Sequence, residues 1–374
     1  MIERGDDVVR LMALLHEGLH QLVIGPRRHC KTTVCQAALA RVASDGVYTV
    51  EIDLFTVANI AWFAQLIVER AMANRSAFRR AAHSAAKGVV VAAETMSAAV
   101  TMRAQAELGS DIELTFKPAA GRSDPMRYFE HALRLCQRIC EADGKHLVLF
   151  IDEFQEIAAS RHLYGDPGEV TNLMQAVLQS SPSVTCVFAG SVEHMMKGLL
   201  AAQHRAYYQW GAWFTLAPIP APVWRAGIDQ RFRDAGVDVS SSSAVDHLVA
   251  HGDGHPRTTV LLAQHAYVFA VTSPTRCLDD LRPVIALDLA MKAESGALEV
   301  TVAQIRDLGR YALDIAFHIA SGDPPYKAAE PWAVQRSIEA LKQKGIVERR
   351  GSVGRGGWTI TDPLLRRYLV SINE

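Results

Sequence analysis

Nowhere in these 374 residues is there an apolar run long enough to span a bilayer, nor a secretory leader. No membrane association is therefore expected, and a reduced cytoplasm is the expected setting. Cysteine is scarce. The six present, at 30, 35, 136, 140, 186 and 277, show no metal-ligand spacing, and Cys136 and Cys140, one helical turn apart, read as a buried pair. Net charge is also lacking: −1 overall, with an isoelectric point near 6.9. No global field recruits nucleic acid or an anionic membrane, so any basic surface must be local. There are no repeats and no low-complexity segments. What remains is an ordinary globular balance, 49% hydrophobic and 21% charged, in a length that suits two or three domains with a sizeable core.

The most informative stretch runs from His20 to Ala40. Apolar Leu22 to Ile24 is halted by Gly25-Pro26, and helical spacing resumes at Lys31, which predicts strand, tight loop, helix. The loop reads Gly25, Pro26, Arg27, Arg28, His29, Cys30, Lys31, Thr32, and Thr33 follows. It fits the phosphate-binding pattern GxxxxGK(S/T) except at Cys30, where glycine is expected. In such a loop the backbone N–H groups and the helix N-terminus surround phosphates, the lysine reaches the β- and γ-phosphates, and the hydroxyl holds Mg²⁺. Lys31 and Thr32 keep both side-chain roles. If Cys30 has to take φ > 0, its Cβ costs roughly 1 kcal/mol and crowds the phosphates.

A second motif lies far downstream, in KHLVLFIDEFQEI. Leu147 to Ile151 is apolar without alternation, as in a strand buried on both faces at the centre of a parallel sheet. Asp152 and Glu153 end it, at the sheet edge where doubly wound folds bind ligands. An apolar strand followed by Asp-Glu is the Walker B arrangement, in which the aspartate orients Mg²⁺ and the glutamate polarises the attacking water. SVTCVFAGS reads as another strand with Ser191 at its end, and two roles fit that serine equally: γ-phosphate sensor, or cap of a helix over 192–200.

The rest of the chain organises around these motifs. An amphipathic helix over 1–18, with Val8, Leu11, Leu14 and Leu15 on one face, precedes the first strand. VYTVEIDLF predicts a strand ending at Asp53, an Ala-rich segment from Thr56 to Leu108 predicts one or two long helices, and IELTF a short strand. Arg75, Arg79 and Arg80 read as a solvated helix face. Asp124-Pro125 opens a helix over 126–142. A strand in GAWFTLAPIPAP closes a core over 1–221. Helices follow over 222–298, with a turn at GDGHPRTT and a last helix over 278–297, as a small lid. From 299 to 374, helices over 301–319 and 331–344 and the pattern strand, Gly-rich turn, strand, helix outline a winged helix. Lys327 to Glu374 holds nine Lys/Arg against five Asp/Glu, a basic module in a neutral chain.

With both motifs in place, the chain resembles the P-loop ATPases related to the AAA+ and STAND classes, in particular the archaeal-type ATPase-domain family with a C-terminal winged helix. The residues that carry this are IERGDDVVRLMALLHEG, GPRRHCKTT, LFIDEFQEI, FAGSVEHMM and the GHP turn. The resemblance implies an α/β P-loop NTPase fold, AAA+-like, with a parallel sheet flanked by helices, a helical lid and a winged helix. It implies ATP and Mg²⁺ as ligands, phosphate contacts from Gly25, Lys31 and Thr32, Mg²⁺ held through Thr32 and Asp152, water activation by Glu153, and Ser191 as sensor. Gly254-His255-Pro256 would approach the base from the lid, and Arg205 is the candidate arginine finger. Cys30 departs from the family pattern.

Three functions follow as expectations: an ATP-hydrolysing molecular switch; an ATP-regulated DNA-binding protein, with Arg336 and Lys342 on a groove-facing helix and Arg349, Arg350 and Arg355 flanking the wing; and a nucleotide-binding scaffold impaired by Cys30. The winged helix serves equally for protein packing, so ATP or ADP, DNA, a protein partner and a second copy of the chain all remain as partners.

Overall fold

The computed structural model of the chain describes residues 4–25, 29–75, 124–191, 193–200, 211–239, 243–278, 282–349 and 357–373. Two compact units emerge: an α/β unit of Asp7–Ile24 and Lys31–Thr215, and a mainly helical unit of Met1–Asp6, Gly25–Cys30 and Leu216–Glu374.

In the α/β unit, α1 (Gly5–His16) leads into β1 (Gln21–Ile24), and α2 (Lys31–Ser44) into β2 (Tyr48–Asp53). α3 (Ile60–Ala73) and α4 (Pro125–Asp143) come before β3 (Leu147–Asp152), α5 (Pro167–Leu178) before β4 (Val184–Gly190), and α6 (Glu193–Leu200) before β5 (Ala212–Thr215). The strands are all parallel, in the order β2-β3-β4-β1-β5. β3 and β4 are buried along their whole length, as a continuous apolar run requires. β4 separates β1 from β3, with Ile24 level with Gly190 and Ile151 level with Phe188. The C-terminal ends of β1, β4 and β3 therefore emerge side by side.

Local chemistry sets the helix ends. Asp124 accepts a hydrogen bond from the Met126 N–H, Pro125 fills the first turn of α4, and Gly144 ends it at φ +60°. α4 and α3 cover one face of the sheet through Phe129, Leu133, Phe63 and Ile67, the two phenylalanine rings 5.0 Å apart. Full burial of such a ring contributes about 2–3 kcal/mol. The helix expected from Thr56 begins instead at Ile60, because Asn59 caps it by accepting from the Trp62 N–H, and residues 54–56 form a tight 3₁₀ turn. At its far end Asn74 bonds both the N–H and the C=O of Thr49 on the edge strand, and Arg75 pairs with Asp143 at 2.8 Å. The remainder of the Ala-rich segment, with Arg79, Arg80 and IELTF, lies outside the described residues.

Three histidines gather at the opposite, N-terminal edge of the sheet. The His20 Nδ1 accepts from the Cys186 N–H at 2.9 Å, and the His146 Nε2 meets the Thr185 hydroxyl at 2.7 Å. Burial, then the neighbouring His146, pushes His20 from its ordinary 6.5 down to about 4. His146 is lowered too, by burial and by His16. The folded state thus favours neutral rings while the unfolded chain protonates from about 6.5 downward, so this stabilisation is complete above that pH and lost as pH falls toward 4. For His20 it amounts to about 3 kcal/mol in full. A thermal-unfolding series between pH 7.5 and 4 is expected to show that decline. His20→Asn, which keeps an acceptor but does not titrate, should flatten it, and an equally steep decline would sink the assignment.

The helical unit contains α7 (Ala221–Asp234), α8 (Ala244–Gly252), α9 (Pro256–Thr272), α10 (Arg282–Asp307), α11 (Ala312–Ala320) and α12 (Pro331–Gln343). An antiparallel hairpin of β6 (Val347–Arg349) and β7 (Trp358–Ile360) and a last helix, α13 (Pro363–Asn373), follow. Its core includes Trp224, Leu248, Leu262, Ile305, Ile315, Leu341 and Leu369. One expectation is corrected here. The helix expected to end at 297 continues to Asp307, because Leu298, Val302 and Ile305 extend its buried stripe, and the break comes near Gly309 at φ +141°. The boundary drawn between 298 and 299 falls inside this helix. No helix among the described residues is long and apolar enough to cross a membrane.

Candidate functional site

The loop between β1 and α2 holds the residues singled out first. Pro26, Arg27 and Arg28 lie outside the described residues. Cys30 has φ +63°, the left-handed conformation that glycine adopts without a Cβ clash. The chain accepts that strain with the thiol half-buried. Lys31 is the first residue of α2 and only 6% exposed. Thr33 is exposed, and no acidic residue occupies the first turn of α2, so its N-terminal N–H groups carry no competing carboxylate.

Within the α/β unit the threonine of the loop meets the acid of the central strand. Thr32 Oγ1 donates to Asp152 Oδ2 at 2.5 Å, and the Glu153 N–H donates to Asp152 Oδ1 at 2.9 Å. Asp152 is 6% exposed. Burial pushes its carboxyl above the usual carboxylate range, Glu153 and Asp53 push the same way, and the two hydrogen bonds pull it back. Glu153 is half-buried and lies at φ +50°, a reversal that ends the strand, after which the Phe154 N–H donates to the Ala189 C=O at 2.9 Å. Ser191 Oγ donates to Glu153 Oε2 at 2.9 Å. This contact is neither of the two roles left open for Ser191, sensor or helix cap; it ties the serine to the glutamate at the end of β3. Residue 192, beside the expected helix start, lies outside the described residues, as does Arg205.

In the helical unit, His29 of the loop is 3% exposed and His255 1% exposed, with their rings edge to face at 5.2 Å between centroids. His255 caps α9: its Nδ1 accepts from the Thr258 N–H at 3.2 Å and lies 2.9 Å from the Thr258 hydroxyl, and Pro256 fills the first turn. Thr258 Oγ1 in turn donates to Asp362 at 3.3 Å, and Asp362 accepts from the Leu364 N–H at the start of α13. Gly254, at φ +70°, makes the turn that presents His255.

No protein-family model and no curated protein matches the sequence. Among solved structures the chain is similar to the Walker-type ATPase PABY2304 of Pyrococcus abyssi, with TM-score 0.67 and 18% identity over 99% of this chain and 96% of that one. It is also similar to the ORC2 protein of Aeropyrum pernix in its ADPNP–ADP complexes, with TM-score 0.59 and 13% identity over 100% and 93%. The fold is that of the α/β P-loop NTPases, a parallel five-stranded sheet flanked by helices, with a helical C-terminal region.

Two features of this P-loop fold were not singled out from the sequence. Gln155 is 1% exposed, and its Nε2 donates to Glu153 Oε2 and lies 3.5 Å from Ser191 Oγ. It stands two places beyond Glu153, and with Asp152, Glu153 and Glu156 around it nothing in its own segment sets this polar residue apart. The second is the packing of His29 on His255. Nothing in local spacing links two histidines that far apart.

Proposed function

We propose that the chain binds ATP with Mg²⁺ and hydrolyses it as a molecular switch of AAA+/STAND type. The observation that carries the reading is the meeting of Thr32 with Asp152, which brings together a hydroxyl at the start of α2 and a carboxylate at the end of β3. A buried carboxylate disfavoured by burial and by neighbouring acids, beside a hydroxyl, is a hard-oxygen pair that fits a divalent cation. Thr32 and Asp152 would hold Mg²⁺, which when bound offsets phosphate charge. Lys31 contacts the phosphates, and the amides of the Gly25–Thr32 loop, with the head of α2, receive the phosphate oxygens. Glu153 takes the proton of the attacking water, with Ser191 beside it.

The switch element in this reading is the C-terminal helical region, a lid and a winged helix joined through the continuous α10. Phosphate-loop geometry reaches it through His29 and His255, then Thr258 and Asp362. A loop that adjusts to nucleotide thereby biases the heads of α9 and α13.

The test measures Mg-ATP affinity and phosphate release for the native chain beside Cys30→Gly, in reductant. Both are expected to bind and turn over comparably, since the chain already holds Cys30 at φ +63° and that strain weighs on stability rather than on affinity. Binding by the glycine variant alone would leave the native chain an impaired scaffold. A second reading, duplex DNA held by the C-terminal hairpin, is favoured by Arg349, whose guanidinium lies 5.7 Å from the Trp358 ring centroid on the facing strand. Arg350 and Arg355 lie outside the described residues. A salt-dependent mobility shift of duplex DNA, weakened by Arg349→Ala, is its expected result; no shift at low salt ends it.

A further inference from the structure

Glu153 carries an unusual pattern of bonds. Ser191 Oγ and Gln155 Nε2 both donate to one of its oxygens, Oε2. Oε1 has no partner among the described residues, on a side chain that stays half-buried. A carboxylate fixed in this way by one oxygen offers the other, in one orientation, to a water.

Gln155 is held for this task at a cost to stability. Its own Oε1 is buried without a hydrogen-bond partner among the described residues, and an unpaired buried amide oxygen is destabilising. A Cβ on Gly190 would fall 2.6 Å from that oxygen and 2.5 Å from the Met196 sulfur, so the amide is wedged against β4 where only glycine leaves room. The left-handed Glu153, with the Phe154 N–H on the Ala189 C=O, turns the chain back so that Gln155 can reach the carboxylate it follows. If Gln155 served only to fill space, an apolar side chain of its length would do so without leaving a polar atom unpaired.

We infer that Gln155 is a positioning residue for hydrolysis, aiming the Glu153 carboxylate, with Ser191, at the water that attacks the nucleotide. This rests on the ATP-hydrolysing reading above. In this role Gln155 acts through Glu153 and Ser191 rather than on the nucleotide or the water. It restricts the glutamate, and the effect belongs to the transition state rather than to ground-state affinity.

The experiment compares the native full-length chain with Gln155→Met, which keeps the volume and removes the donor, and Gln155→Glu, which keeps the shape and replaces the donor with an acceptor. For each, kcat and KM for Mg-ATP are measured, with affinity for ADPNP, affinity for ADP plus aluminium fluoride, and thermal midpoint. Both variants are expected to lose about 10- to 100-fold in kcat and a comparable factor in affinity for the aluminium fluoride complex. KM and ADPNP affinity are expected to stay within about threefold, since ground-state contacts are untouched. Should the methionine variant fold poorly, the isosteric glutamate carries the comparison, and Gly190→Ala adds a case in which the amide is displaced without being replaced. A methionine variant with native kcat would overturn the role while leaving ATP hydrolysis in place. An equal loss of ADPNP affinity would overturn it in favour of a structural part in the pocket. A native chain that binds ATP but neither hydrolyses it nor gains affinity with aluminium fluoride would remove the hydrolytic reading, and this role with it.

Discussion

Glu153→Gln is expected to reduce phosphate release by about 10²- to 10⁴-fold while leaving Mg-ATP affinity close to native. The substitution keeps the length and shape of the side chain, and its amide carbonyl can still accept from Ser191, so the local geometry has no reason to collapse. What it removes is the basic oxygen that takes a proton as water attacks. Because Glu153 lies beside Asp152 rather than in the Thr32–Asp152 pair, the cation-holding oxygens are retained. ATP should therefore remain bound and uncleaved. Phosphate release in single and multiple turnover, beside equilibrium binding of ATP, checks this. Native turnover in the variant would mean that Glu153 is not the base, and the acid pair at the end of β3 would then serve the cation alone.

Lys31→Ala is expected to weaken nucleotide affinity by about 10- to 100-fold, the loss of one or two charge-assisted hydrogen bonds to phosphate at about 1.5–3 kcal/mol. Lys31 is placed for this role by the start of α2 and by its burial, which limits solvent screening of its charge. The variant is expected to lose the rise in thermal midpoint that nucleotide gives the native chain. Thermal unfolding with and without Mg-ATP checks this. An unchanged affinity would show that the loop does not bind phosphate, and the switch reading would fail with it.

Both expectations concern residues that a reader of the sequence alone would choose. Lys31 and Thr32 follow an apolar strand and a Gly-Pro break, and the acid pair ends a run of apolar residues. These signals are local. A strand buried on both faces must be apolar at every position, a phosphate loop must be followed by a helix, and caps such as Asp124-Pro125 act within one turn. Local rules also explain where the reading slipped. Asn59 as a cap outweighed the helical spacing before it, and the stripe of Leu298, Val302 and Ile305 carried α10 past the expected stop. Side chains that satisfy a distant surface leave no mark in the spacing of their own segment.

The sequence by itself determined the parallel α/β core, the strand, loop and helix around Lys31 and the apolar strand that ends in Asp152-Glu153, because each depends on residues a few positions apart whose polarity and backbone freedom are set by type. Tertiary structure alone decided that Cys30 would take φ +63°, since its backbone is constrained by a strand end and a helix start together. Sheet order decided that β4 would separate β1 from β3, bringing Ser191 to a glutamate 38 positions before it. It also left Gly190 as the space into which Gln155 fits. The packing of His29 against His255 is of the same kind. Such contacts arise from how long-range burial is shared among elements, a global minimum that no single window of sequence can express.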